Sequence, residues 1–219
     1  MSDRPIGIFG GTFDPIHFGH LRLAEEMLEL AGLEHIRFIP TGTPPHRDAP
    51  QVSARQRSAM VRLAISDQPA FVLDEREVSR DRLCYTVDTL GELRAEFGAM
   101  QPLCLLMGGD AFLQLHTWHE WEKLFELAHI VVGHRPGFTL EERIHGTPER
   151  LQQQYKQRLC ETKDLSRTAY GGIVELVIPK LEISATDIRR RVAGQHTIRY
   201  LLPDAVANHI HQHHLYLPC

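Results

Sequence analysis

Short apolar runs alternate with amphipathic stretches along this chain, and the alternation predicts most of its secondary structure. Runs at 6–9, 35–40, 71–74, 103–107, 129–133 and 173–178 are short and rich in Ile, Val, Leu and Phe, as buried strands are. Between them, Leu23, Ala24, Met27, Leu28 and Ala31 recur at the spacing of one buried helix face. Segments 55–65, 86–97 and 120–127 carry the same period, and 148–170 is polar enough to be a peripheral helix or insertion. Strands alternating with helices predict an α/β fold: a Rossmann-like, doubly wound parallel sheet with helices on both faces. From about residue 184 onward a small helical part is expected, within a single domain covering 1–219.

Composition narrows the class. The 219 residues are 42% hydrophobic and 24% charged, enough for one substantial core. No apolar run approaches the roughly 20 residues of a membrane span, and the start MSDRPIGIFGG lacks the features of a secretory signal. A cytoplasmic protein without membrane attachment is expected. Four cysteines, at 84, 104, 160 and 219, form no CxxC pair and read as reduced thiols. The formal charge of −4 argues against bulk attachment to nucleic acid, so any phosphate binding must be local.

Ligands of such sheets bind outside the carboxyl ends of the strands, and that is where the unusual residues fall: 10–20, 41–47, 108–110 and 134–137. The first reads GGTFDPIHFGH. Gly10 and Gly11 allow a tight turn and close approach of a ligand to backbone N–H groups, and the helix that follows favours an anion. His17 and His20, three residues apart, can share one helix face and donate to phosphate oxygens, with Gly19 keeping the surface low. Neither GxGxxG nor GxxxxGK[ST] is present to explain the glycines otherwise. Far along the chain, ISATDIRRR (183–191) offers Ser184 as an N-cap and a second helix start, with Arg189 suited to phosphate and Arg190 and Arg191 read as a solvated face.

The two segments resemble the (T/H)xGH and ISxTxIR signatures of the nucleotidyltransferase superfamily. The order of TGTPPHR (41–47), YTVDTL (85–90), GGDAF (108–112), TWHEW (117–121) and HRPG (134–137) is similar, nearly end to end, to bacterial nicotinate mononucleotide adenylyltransferases. The resemblance implies AMP transfer from ATP to nicotinate mononucleotide, with Mg²⁺ carried on the ATP. It implies His17, His20 and Arg189 as catalytic residues on the triphosphate, and Gly10, Gly11, Thr12, Phe13, Gly108, Asp110, Ile183, Ser184 and Thr186 as ATP-binding. His46, Arg47, Tyr85, Thr86, Trp118, His119 and Arg135 are implied on the substrate side. The family often has Tyr where this chain has His119, which leaves that position a backbone role. Nicotinamide mononucleotide and phosphopantetheine are alternative acceptors, and a nucleotide-sensing module without turnover is the alternative outside enzymes. No dedicated protein metal site is expected: His209 and His213 of the HIHQHHLYLPC tail read as the wet face of a helix whose buried stripe is Val206, Ile210 and Leu215. Trp121 reads as core on a helix shared with Trp118. Monomer and homo-oligomer both remain open.

Overall fold

The computed structural model describes residues 4–43, 50–137, 139–179 and 181–218. Six strands, β1 (Ile6–Gly11), β2 (Ile36–Pro40), β3 (Phe71–Leu73), β4 (Leu103–Gly108), β5 (His129–His134) and β6 (Ile173–Val177), form one parallel sheet in the order β3-β2-β1-β4-β5-β6. This is the doubly wound order, with its reversal between β1 and β4. All six strands fall on the apolar runs. Parallel pairing requires long crossovers, and the chain supplies α1 (Phe18–Leu30), α2 (Ala54–Ala64) and α3 (Thr86–Phe97) in the first half. The second half adds α4 (Gly109–Leu113), α5 (Leu124–Leu127), α6 (Leu140–Ile144), α7 (Glu149–Arg158), α8 (Ala185–Ala193) and α9 (Asp204–Gln212).

The contacts sort the residues into two compact units. The first comprises 1–9, 24–37 and 85–180. Its core is the almost wholly buried β4 and β5, with Leu90, Leu93, Phe112, Phe125 and Ile173. Their continuous burial explains why these strands read as unbroken apolar runs rather than alternating ones. β4 and β5 pair in register from Cys104↔His129 to Gly108↔Gly133, so β4 ends on Gly108 and β5 runs one residue further, to His134. The segment 148–170 is better anchored than its polarity suggests: Leu151, Tyr155 and Leu165 are buried, and the Tyr155 hydroxyl donates to Glu175.

The second unit comprises 10–23, 38–84 and 181–219. Phe38 stands at its centre, 4.9 Å from the ring of Phe71 and 6.0 Å from that of Phe13. Ile188, Val192, Val206 and Ile210 bury the inner faces of α8 and α9 in the same unit. The expected third member of the α9 stripe is replaced: the helix stops at Gln212, His214 takes a left-handed φ of 51°, and Tyr216 is buried while Leu215 is only partly covered. The stretch around the two tryptophans also departs from a helix. Glu120 is left-handed with φ 48°, Trp118 is extended, Trp121 opens a 3₁₀ turn, and regular α-helix covers only Leu124–Leu127. Trp121 is half-buried, edge-on to Phe125 at 6.2 Å.

Candidate active site

In the second unit, β1 runs out at Gly10–Gly11 and the chain turns sharply before α1. Phe13 makes the turn with a left-handed φ of 50°, a conformation that costs a non-glycine residue of order 1–3 kcal/mol. Packing holds it there: its ring is 2% exposed, against Phe38 and edge-on to His20 at 5.2 Å. His17 then caps α1, its carbonyl accepting from the backbone N–H of His20 and Leu21. Its ring stacks on that of His20 at 3.8 Å, so the two imidazoles do share one face. Gly19 leaves room for this stack, because a Cβ there would lie 3.0 Å from the His17 ring and would press on it.

The two histidines differ in chemistry. His17 is buried, and burial pulls its pKa from 6.5 down to about 4, so it is neutral near pH 7. Its Nδ1 is buried with no hydrogen-bond partner among the described residues. His20 Nδ1 accepts the backbone N–H of His17 at 3.3 Å, which assigns the proton of a neutral His20 to Nε2 as a donor.

The second signature adjoins the first. Ser184 caps α8 by accepting from the N–H of Asp187 at 3.1 Å. One turn on, Arg189 Nη1 donates to the carbonyl of Asp14 at 2.7 Å and Nη2 to Thr186 Oγ1 at 3.3 Å, while Nε is buried without a hydrogen-bond partner. The carbonyl of Ile183 lies 3.5 Å from where a Cβ on Gly19 would be. Arg190 and Arg191 instead pair with Asp187 of their own helix. His17 Nδ1 and Arg189 Nε are thus two of several buried side-chain nitrogens without a hydrogen-bond partner among the described residues.

Sequence reasoning passed over three residues here. Arg57 is 1% exposed, and its guanidinium donates to the carbonyls of Thr12 at 2.6 Å, Thr41 at 2.6 Å and Gly42 at 2.9 Å, tying together the exits of β1 and β2. The signal was its place in a stripe with Met60 and Val61: an arginine in an apolar stripe must find acceptors. Asp14 sits inside the quoted motif, 7% exposed, and Tyr216 donates to it at 2.7 Å. Gly10 faces open space, with no described atom within 4 Å of a Cβ built on it.

In the first unit, Gly108 ends β4 and precedes α4, in whose first turn Asp110 is exposed. Tyr85 precedes α3 in extended conformation, and Thr86 is the helix's first residue. The rings of Tyr85 and His119 meet at 4.4 Å, so two residues 34 positions apart that were expected on the substrate side do come together, His119 through its side chain. Trp118 is half-buried beside them in sequence, and Arg135 is exposed directly after β5. His46 and Arg47 lie outside the described residues. Among the described residues, no group of three or more His, Cys, Asp or Glu is assembled that could hold a metal ion; His209 instead contacts Gln56 Oε1 at 2.7 Å. Nor, among them, is any helix long and apolar enough to cross a membrane.

The cytidylyltransferase-like family model matches residues 8–191 of this doubly wound chain, which is a nucleotidyltransferase. The chain is 50% identical over 217 residues, 99% of each protein, to the "Probable nicotinate-nucleotide adenylyltransferase" of Dechloromonas aromatica (strain RCB). It is 47% identical over 94% of its length, and 93% of the relative's, to the protein of the same name from Halorhodospira halophila. The chain belongs to the nicotinate-nucleotide adenylyltransferase family. In fold it is similar to the Plasmodium falciparum nicotinic acid mononucleotide adenylyltransferase solved in complex with NaAD, with a TM-score of 0.73, 19% identity and 97% of each chain covered.

Proposed function

We infer that this chain transfers AMP from ATP to nicotinate mononucleotide, giving nicotinate adenine dinucleotide and pyrophosphate in NAD biosynthesis. The observation that carries the reading is the union of the two signatures: Arg189, from the second, donates to the carbonyl of Asp14 in the first, where the rings of His17 and His20 stack at 3.8 Å. The 5'-phosphate of the mononucleotide attacks the α-phosphorus of ATP, and the Pα–O bond to pyrophosphate breaks. The attacking oxygen is already ionised near neutral pH, so no strong base is needed; orientation and charge neutralisation carry the rate. His17, His20 and Arg189 act on the triphosphate, with the backbone of 10–13 and 183–186 beside them; Gly108 and Asp110 are assigned to ATP by the family resemblance alone. Mg²⁺ enters as part of the MgATP substrate, bound to phosphate oxygens. Tyr85, Thr86, Trp118, His119, Arg135, His46 and Arg47 serve the mononucleotide.

Steady-state pyrophosphate release by wild type and His20→Ala tests the assignment. A donor to developing charge on the leaving pyrophosphate should cost kcat about 100-fold or more and leave the KM for the mononucleotide within about threefold. Equal losses in both would remove His20 from that role.

A further inference from the structure

The segment that follows α9 reaches back to the first signature. Tyr216, itself left-handed with φ 62°, is 7% exposed, and its hydroxyl donates to Asp14 Oδ1 at 2.7 Å across 202 residues of sequence. The other oxygen of the same carboxylate accepts the backbone N–H of Gln51 at 3.1 Å and lies 4.0 Å from Arg189 Nη1. The carbonyl of Asp14 takes the 2.7 Å hydrogen bond from Arg189. One residue therefore receives both the tyrosine and the arginine, and its conformation decides where the guanidinium sits.

We propose that Tyr216 is a positioning residue for nucleotide transfer: by fixing Asp14, it fixes the backbone carbonyl that aims Arg189. The proposal rests on the functional reading above. Several features favour it over simple packing of a terminal tyrosine. An aromatic ring can be buried without bringing its hydroxyl to a carboxylate, and without the left-handed backbone that brings it there. Burial and the neighbouring Asp14 carboxylate push the Tyr216 phenol above its ordinary pKa, so it keeps its proton and acts as the donor. Arg57 already holds the preceding carbonyl of Thr12, so the turn is fixed on one side through its backbone and on the other through Tyr216. Arg189 is held by the Asp14 carbonyl and Thr186 Oγ1, so a rotation at residue 14 would move its guanidinium.

The test is a mutant cycle in the full chain: Tyr216→Phe, Asp14→Ala and the double variant, assayed by pyrophosphate release with each substrate varied at saturation of the other, alongside urea midpoints. Phe keeps the ring and removes only the hydroxyl, and Ala removes the acceptor that Asn would retain. Tyr216→Phe should lower kcat/KM for ATP about tenfold, the effect of losing one hydrogen bond to a charged group, and leave the KM for nicotinate mononucleotide unchanged. The double variant should lose no more than Asp14→Ala alone, because both break the same chain of contacts. Wild-type kcat/KM in Tyr216→Phe, or losses that multiply in the double variant, would overturn the proposal. If Tyr216→Phe does not fold, Asp14→Ala carries the test from the other side of the bond, and an unchanged kcat/KM for ATP there overturns it equally. A wild-type chain that releases no pyrophosphate would defeat the functional reading instead. ATP affinity by calorimetry then decides the tether, with about tenfold weaker binding in Tyr216→Phe supporting it and equal affinity overturning it.

Discussion

Replacing His17 with glutamine should remove a component of stability that depends on pH. The native imidazole is buried and holds its proton only below about pH 4, whereas an unfolded chain takes it up below about 6.5. Between those values the unfolded state binds the extra proton, so the contribution of His17 is fully present above pH 6.5 and is lost as pH falls toward 4. At about 1.4 kcal/mol per tenfold, acidifying from pH 7.5 to 4.5 should cost the wild type about 2.5 kcal/mol through this residue alone. His35, His129 and His209 are also held below their ordinary values by burial, but they are common to both proteins and cancel in the difference. Urea unfolding of wild type and His17→Gln at half-unit steps between these limits measures that difference directly. The gap between the two curves should shift by about 2.5 kcal/mol toward the variant in acid. Curves that stay parallel throughout would refute a buried, neutral His17.

Arg57→Met strands three partly buried carbonyls, at Thr12, Thr41 and Gly42. It should cost about 3–6 kcal/mol in urea unfolding, and a loss below about 1 kcal/mol would show that the clamp holds nothing. Gly42→Ala places a Cβ 2.1 Å from the backbone carbonyl oxygen of Glu77, so it should lower the thermal midpoint sharply; an alanine variant as stable as wild type would contradict that close approach. Trp118→Ala should raise the KM for nicotinate mononucleotide about tenfold, the worth of one lost stacking face, at nearly constant kcat. An unchanged KM would return Trp118 to packing alone.

Burial on both faces made the six strands legible as apolar runs, and α3 begins and ends where its period says, at Thr86 and Phe97. Two short helices were not legible. Gly109–Leu113 and Leu140–Ile144 span little more than one turn, too short for a 3.6-residue period to declare itself. The helix expected over 120–127 failed at Glu120, because nothing in a hydrophobic period reveals one left-handed residue. At the site, the signatures marked His17, His20, Ser184 and Arg189 through glycine, histidine and capping chemistry that acts locally. Asp14 escaped because its role depends on partners 175 and 202 residues away. Tyr216 escaped because the helix before it ends, and the stripe through Val206 and Ile210 cannot be extended past that end.

The most direct measurement is pyrophosphate release with MgATP and each of three acceptors: nicotinate mononucleotide, nicotinamide mononucleotide and phosphopantetheine. The account predicts turnover with nicotinate mononucleotide at a kcat/KM at least tenfold above either of the others. Release with phosphopantetheine alone, or with no acceptor at all, would contradict it.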